Sequence, residues 1–343
     1  MIYSYGITEQ GTYHVKKNIP CQDYHHIVKC GDNTIVTSVA DGLGSMKYSD
    51  IGSKLAATIS ANYCAEKIAL LNNVNDVLGI IKVSFELAQS SIEKEAKNNG
   101  HSIDLYDTTL TLAVVHDNTL YYGHSGDSGI IALTVEGLYK QVTEQQRDED
   151  DRVFSLFFKD RWVFQRFEQK VCSVLLATDG MLETFFPIYI KKELVNIHVT
   201  LAQFFMDNGA LRIDELGEDA VKVRIGDFIR SIPDEQVNDD KTLVTLVNPS
   251  VKSKRQPDDY YKEPNWVELK KKYDEEKKRL LYPHLFKEQD AEKVAKSSAV
   301  SDNAVAGEKG SNESSPVKHR DSIIGRAIEV MTKKSIAILK SKG

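Results

Sequence analysis

The 343-residue chain is sparing with cysteine and scatters what it has. Cys21, Cys30, Cys64 and Cys172 form no Cys-x-x-Cys pair, which argues against a disulfide framework or a thiolate zinc site and fits reduced thiols inside a cell. No His-Glu-x-x-His motif offers zinc another home. Long hydrophobic runs are missing too. Without a stretch of about 18 apolar residues, no membrane span is expected. The first residues, Met1 to Gly6, carry neither the basic region nor the apolar run of a signal peptide, so the expected location is cytoplasmic. Basic residues are not in excess: 44 Lys and Arg face 50 Asp and Glu, a net charge of −6, which argues against a general nucleic-acid binder. No internal repeat is visible. What the chain does have is 41% hydrophobic residues, enough for a substantial core.

Periodicity divides the chain. Residues 2–7 read as a strand, followed by an irregular stretch from Glu9 to Cys21. Tyr24 to Lys29 and Thr34 to Ala40 read as strands about the turn Gly31-Asp32-Asn33. Ser49 to Ala69 has helical spacing through Ile51, Leu55, Ile59 and Tyr63. A second helix, capped by Asn75, runs through Val77, Ile80, Ile81 and Phe85 towards Asn98. The period then becomes two over Thr108–Val115, Thr119–His124 and Gly129–Val135, with turns at Asp117-Asn118 and Gly126-Asp127-Ser128. Leu138 to Val142 makes a fourth strand. Beyond the charged segment Glu144–Arg152, Val171–Ala177 and Leu243–Val247 are strands, and Ile190–Asn208 and Glu218–Ile232 are helical. Antiparallel strands interrupted by helical pairs make residues 1–249 an α+β domain.

Composition shifts after that. Residues 250–290 form a charged linker with a helix at Trp266–Leu281, and 291–320, poor in large apolar residues, is expected to be a disordered linker. Residues 321–343 regain helical periodicity with five basic residues (Arg326, Lys333, Lys334, Lys340, Lys342) against Asp321 and Glu329. This basic amphipathic tail is expected to dock a protein partner.

Chemistry concentrates where apolar strands meet carboxylates: Asp41 before Gly42, Asp179 before Gly180, and the pair Asp239-Asp240 ahead of the last strand. Asp23 and Asp127 also border strands. Gathered at one rim, such carboxylates repel one another unless cations neutralise them. An all-oxygen donor set selects Mg²⁺ or Mn²⁺ over zinc. Gly42 lets the backbone approach an ion closely enough for its carbonyl to join. A two-ion cluster activates water and clamps a phosphoryl group, so the residues point to a phosphohydrolase or phosphotransferase.

Six segments stand in the order of a known family: Cys21-Gln22-Asp23, Asp41-Gly42-Leu43-Gly44, Asp107-Thr108-Thr109-Leu110, Gly123-His124-Ser125-Gly126-Asp127-Ser128, Leu176-Ala177-Thr178-Asp179-Gly180 and Asp239-Asp240-Lys241-Thr242. Over residues 1–249 the chain resembles the bacterial branch of the type 2C metal-dependent serine/threonine protein phosphatases. The resemblance implies two packed antiparallel sheets flanked by helices, a four-layer αββα sandwich. It implies that Asp41 bridges two Mn²⁺ or Mg²⁺ ions, with the Gly42 carbonyl on the second and Asp179 and Asp239 on the first. Asp23 would support the metal waters, Asp127 a third ion, and Gln22 and Asp240 the ligands from behind. The implied reaction is hydrolysis of phosphoserine or phosphothreonine on proteins by metal-activated water, without a phosphoenzyme, opposing a protein kinase. The phosphoprotein partner is then that kinase or its target.

Some family positions differ. Asn18 stands where an arginine often grips the phosphate, leaving Lys16, Lys17 and His14 as candidates. Leu43 stands in place of a histidine proposed as general acid in animal relatives, Gly129 in place of an arginine, and Ser45 in place of a glycine. These departures keep two other readings open: a phosphoprotein-binding regulator of weak activity, and a phosphatase for small molecules.

Overall fold

A computed structural model describes residues 1–70 and 76–286. They fall into two units, one holding Met1–Glu263 and the other beginning at Pro264. The expected cap Asn75 and the segments 291–320 and 321–343 lie outside the described residues.

In chain order the first unit contains β1 (Tyr3–Glu9), α1 (Thr12–Lys17), β2 (Asp23–Lys29), β3 (Thr34–Asp41), α2 (Ser49–Ala69) and α3 (Val77–Asn98). Strands β4 (Leu110–His116), β5 (Thr119–Ser125), β6 (Gly129–Thr134), β7 (Tyr139–Gln141), β8 (Val163–Arg166) and β9 (Val171–Ala177) follow. Then come α4 (Asp179–Phe185), α5 (Val199–Met206), α6 (Asn208–Leu211), α7 (Ile213–Leu216), α8 (Glu218–Arg230) and β10 (Lys241–Val247). The strands form two antiparallel five-stranded sheets, ordered β1-β10-β9-β6-β7 and β2-β3-β4-β5-β8. Helices flank them, as the family resemblance implied.

Three apolar layers explain why both sheets read as strongly hydrophobic. Along β3, Ile35 and Val39 point into the layer between the sheets, where they meet Ile130, Val174, Leu176, Val244 and Leu246. The alternating residues Val36 and Ala40 face α2 and α3. A strand buried on both faces loses the apolar–polar alternation of a solvent-facing one. The small residues Ala56, Ala57, Ala61 and Ala65 of α2 share this layer with Ile81, Phe85 and Ile92 of α3. On the far side of the other sheet, Met181, Leu182 and Phe185 of α4 join Phe204, Phe205, Ile225, Phe228 and Ile229. At about 1.5–3 kcal/mol for each large apolar side chain taken from water, these layers supply the main drive to fold.

Several elements differ from the expected pattern, each for a local reason. The stretch Glu9–Cys21 contains α1, which ends at Asn18 in the left-handed region (φ 52°). Its one buried side chain is His14, while Tyr13 and Val15 are exposed, so it has no apolar stripe to read. The region expected to be one helix from Ile190 to Asn208 starts its helix only at Val199 and breaks at Asp207, whose carboxylate caps the next helix by accepting from Gly209 N at 2.6 Å. Edge strand β8, unforeseen, is only four residues long and pairs with β5. The Asp117-Asn118 turn was expected, and both residues have positive φ (45° and 61°), as a tight hairpin between twisted strands requires. All four cysteines are free.

Past residue 249 the chain stays with the first unit. The Tyr260 hydroxyl accepts from Tyr139 N at 2.9 Å, and Tyr260 and Tyr261 pack on the α4–α8 layer. The second unit carries α9 (Trp266–Leu281), whose N-cap Asn265 accepts from Glu268 N. None of the described helices is long and apolar enough to cross a membrane.

His124 illustrates the demands of the buried interior. Its Nε2 lies 3.0 Å from the Glu144 carbonyl and must donate, so Nδ1, 2.9 Å from Thr111 Oγ1, must accept. That neutral tautomer agrees with burial, which pushes the imidazole pKa down to about 4. Between pH 6.5 and 4 the unfolded chain therefore binds a proton that the folded chain refuses, and stability is lost as pH falls through that window. The stability advantage of the wild type over His124→Gln, which has no charge to acquire, should narrow from pH 6.5 to 4 in urea unfolding. A pH-independent difference would contradict this account.

Candidate metal centre

Strand register assembles one rim of the sandwich. In the β2–β3 pair, Asp23 and Asp41 are direct cross-strand partners. In the other sheet, Ala177 at the end of β9 faces Gly129 of β6 on one side and Leu243 of β10 on the other. Asp179 thus emerges between the segment holding Asp127 and the segment holding Asp239 and Asp240. The Gly126-Asp127-Ser128 turn carries the chain from one sheet to the other, with Gly126 at φ +114°. The tight turn expected at Asp179-Gly180 is the first turn of α4, entered through Thr178.

Carboxylate oxygens of Asp41, Asp127 and Asp179 lie within 4.8 Å of one another. His14, Asp239 and Asp240 form a neighbouring group on the same criterion. Two unit charges about 4 Å apart repel by roughly 4 kcal/mol at the effective dielectric of a protein surface. The protonation behaviour follows. Burial first, then Asp23, Asp179 and Asp127, push the Asp41 carboxyl well above the usual range. Asp23 is raised by burial and then by Asp240 and Asp179, against a hydrogen bond from Thr178 Oγ1 at 2.7 Å. Asp127 is pushed up to about 7 by burial and Asp179, against the pull of Arg147. Asp239, more than half exposed, is raised by burial of its remainder, ahead of Asp179. The set must hold either protons or cations, and its donors are all oxygen, which fits hard divalent ions such as Mg²⁺ or Mn²⁺.

Backbone contacts hold these carboxylates in place. The carbonyl of Asp41 accepts from Thr109 N and Thr108 Oγ1, both at 2.8 Å, while its N–H donates to Thr109 Oγ1 at 2.9 Å. Gly42 N donates to the Gln22 carbonyl at 3.0 Å. A Cβ on Gly42 would stand 2.5 Å from the Ser49 carbonyl at the start of α2, so only glycine lets that helix abut the strand end. Gly180 is under the same constraint, since its Cβ would lie 2.2 Å from the Asp240 carbonyl. Asp240 is the buried brace: it accepts from Gly11 N and Gln22 N, both at 2.6 Å, and lies 2.9 Å from His14 Nδ1.

The candidate phosphate contacts are placed apart. His14 sits against Asp239 and Asp240. Lys16 is exposed and pairs with Asp234 at 3.4 Å, and Lys17 is exposed. Gln22 donates its side-chain amide to Ser49 Oγ at 2.6 Å. Where an arginine was expected after Asp127-Ser128, a Cβ on Gly129 would sit 2.6 Å from Leu182 of α4. The cation that does reach the cluster is Arg147, whose Nη2 is 2.6 Å from Asp127 Oδ2 and 3.2 Å from Asp179 Oδ2. No sequence signal marks it, because the charged segment Glu144–Arg152 has no periodicity or motif to single out one residue.

Replacing Asp240 by Asn turns one acceptor oxygen into a donor against the Gly11 or Gln22 N–H and removes the charge that strengthens both bonds. The loss should be about 1.5–3 kcal/mol in urea unfolding at neutral pH. An unchanged midpoint would show that Asp240 does not brace the rim.

No curated protein sequence matches this chain. Among solved structures, a bacterial serine phosphatase is similar at 13% identity and a TM-score of 0.49, covering 75% of this chain and all of the other. Serine/threonine phosphatase Stp1 from Staphylococcus aureus is similar at 14% identity and a TM-score of 0.47, over 72% of this chain and 95% of its own. The Mycobacterium tuberculosis serine/threonine phosphatase PstP/Ppp is similar at 15% identity and a TM-score of 0.47, over 72% and 98%. The family model described as protein phosphatase 2C matches residues 10–215, more than half of the chain and the part that supplies Asp23, Asp41, Asp127 and Asp179. By that match the chain belongs to the protein phosphatase 2C family.

Proposed function

We propose that this protein hydrolyses phosphoserine or phosphothreonine on other proteins in a reaction that depends on two Mn²⁺ or Mg²⁺ ions. The observation that carries the reading is the meeting of the Asp41, Asp127 and Asp179 carboxylates at one rim of a protein phosphatase 2C-family fold. Asp41, the Gly42 carbonyl, Asp179 and Asp239 would hold the ions, with Asp23 close behind. When bound, such an ion pair lowers the pKa of water and neutralises phosphoryl oxygens.

The chain's own residues supply position and proton control. Thr108 and Thr109 fix the Asp41 backbone on both its N–H and its carbonyl, so the carboxylate is aimed before any ion arrives. Thr178 donates a hydrogen bond from its hydroxyl to Asp23 and so favours the ionised form that a cation needs. Asp240 ties the loop around Gly11 to the residue before Asp23, joining the two sheets beneath the site. Pre-placed oxygens of this kind spare the site reorganisation when charge develops. In the cell we place the protein in the cytoplasm, opposing a protein kinase, with the C-terminal segment 321–343 as a docking element for a protein partner.

The test is turnover of a phosphopeptide and of p-nitrophenyl phosphate. Mn²⁺ should support hydrolysis, EDTA should abolish it, and Asp179→Asn should lower it by at least about 10²-fold, as expected when a charged group that stabilises the transition state is removed. Activity that survives EDTA or the substitution would refute the metal mechanism. Hydrolysis of small phosphates alone would redirect the reading to a metabolite phosphatase. No turnover with Mn²⁺ bound would leave phosphoprotein binding as the activity.

A further inference from the structure

Arg147 makes an unusual set of contacts for a cation beside a carboxylate cluster. A single guanidinium nitrogen, Nη2, reaches both Asp127 Oδ2 at 2.6 Å and Asp179 Oδ2 at 3.2 Å. The other terminal nitrogen, Nη1, is held from outside by Asp151 Oδ2 at 3.2 Å. Nε is buried without a hydrogen-bond partner, so three carboxylates orient the group: two at the cluster and Asp151 on its own loop. The loop is also pinned by its own backbone. Arg147 bridges to Val153, and Asp148 N donates to the Arg152 carbonyl at 2.9 Å, which fixes where the side chain starts. The side chain is about one quarter exposed.

We propose that Arg147 is a built-in cation that takes the Asp127 side of the centre, so that the chain binds two divalent ions and admits no third. The inference rests on the two-ion reading above. A bridging nitrogen between Asp127 and Asp179 stands where an ion shared by those two carboxylates would have to sit, and it holds the Asp127 oxygen at full hydrogen-bonding contact. Charge supports the same division. Asp127 and Asp179 already share the positive charge of the Arg147 guanidinium. A third divalent ion would have to share Asp127 with a guanidinium that cannot lose its proton. Arg147 in this role acts on metal stoichiometry through Asp127 and Asp179.

The experiment counts Mn²⁺ bound per full-length chain by equilibrium dialysis at moderate salt, with metal measured by atomic emission. Wild type should bind two ions. Arg147→Ala should bind three, and adding Asp127→Asn to it should return the count to two. Arg147→Lys, which keeps a cation, should stay at two. Asp127→Asn alone leaves Arg147 in place and should also keep two, so the idea remains testable if removal of Arg147 prevents folding. Three ions on the wild type, two on a folded Arg147→Ala, or fewer than two on Asp127→Asn would each overturn the assignment of Arg147. A wild type that binds no Mn²⁺ would overturn the two-ion reading itself, and the inference with it.

Discussion

Mutual repulsion among carboxylates at one rim is the constraint on which the arrangement depends. Asp23 and Asp41 face each other across two strands, and Asp127 and Asp179 crowd Asp41 from the second sheet. Left alone, like charges at this spacing cost several kcal/mol, a large share of the roughly 5–15 kcal/mol by which a domain is stable. The fold tolerates them because hydrogen bonds tie the strand ends down. Asp41 is locked by Thr108 and Thr109, and Asp240 ties Gly11 and Gln22 together. Such a cluster of repelling oxygens is compatible with a bound cation.

That arrangement needs a stiff support, which the three apolar layers provide. A layer between the sheets and one outside each sheet leave the strands no freedom to slide. A slip of one residue would turn Ile35 and Val39 away from their partners and would also move Asp41 to the other face. Core packing and site geometry are therefore fixed by the same register. The contacts that Gly42 and Gly180 permit extend this coupling to the helices, because the start of α2 and the loop before β10 close directly onto the residues beside Asp41 and Asp179.

Departures from the familiar family pattern take on physical meaning in this setting. A side chain at Gly129 would press on Leu182 of α4, a contact that glycine avoids. Lys16 is turned to Asp234, and His14 lies against the Asp239–Asp240 pair. Positive charge comes to the cluster instead from Arg147, on the segment between β7 and β8. That positive charge comes from a part of the chain outside the ordered motifs.

Much of this was legible in the sequence, because the relevant signals are local. Strand ends followed by Asp-Gly and helical spacing in α2, α3 and α8 depend on residues close together in the chain. The same holds for the ordered motifs that placed Asp23, Asp41, Asp127, Asp179 and Asp239. Tertiary structure alone decided three matters. It made α1 a helix on the strength of one buried histidine, and it turned the Gly126-Asp127-Ser128 corner into a passage between sheets. It also brought Arg147 to Asp127 and Asp179, 20 and 32 residues away. An ion pair depends on separation in space, and a charged segment without periodicity carries no record of where its side chains end.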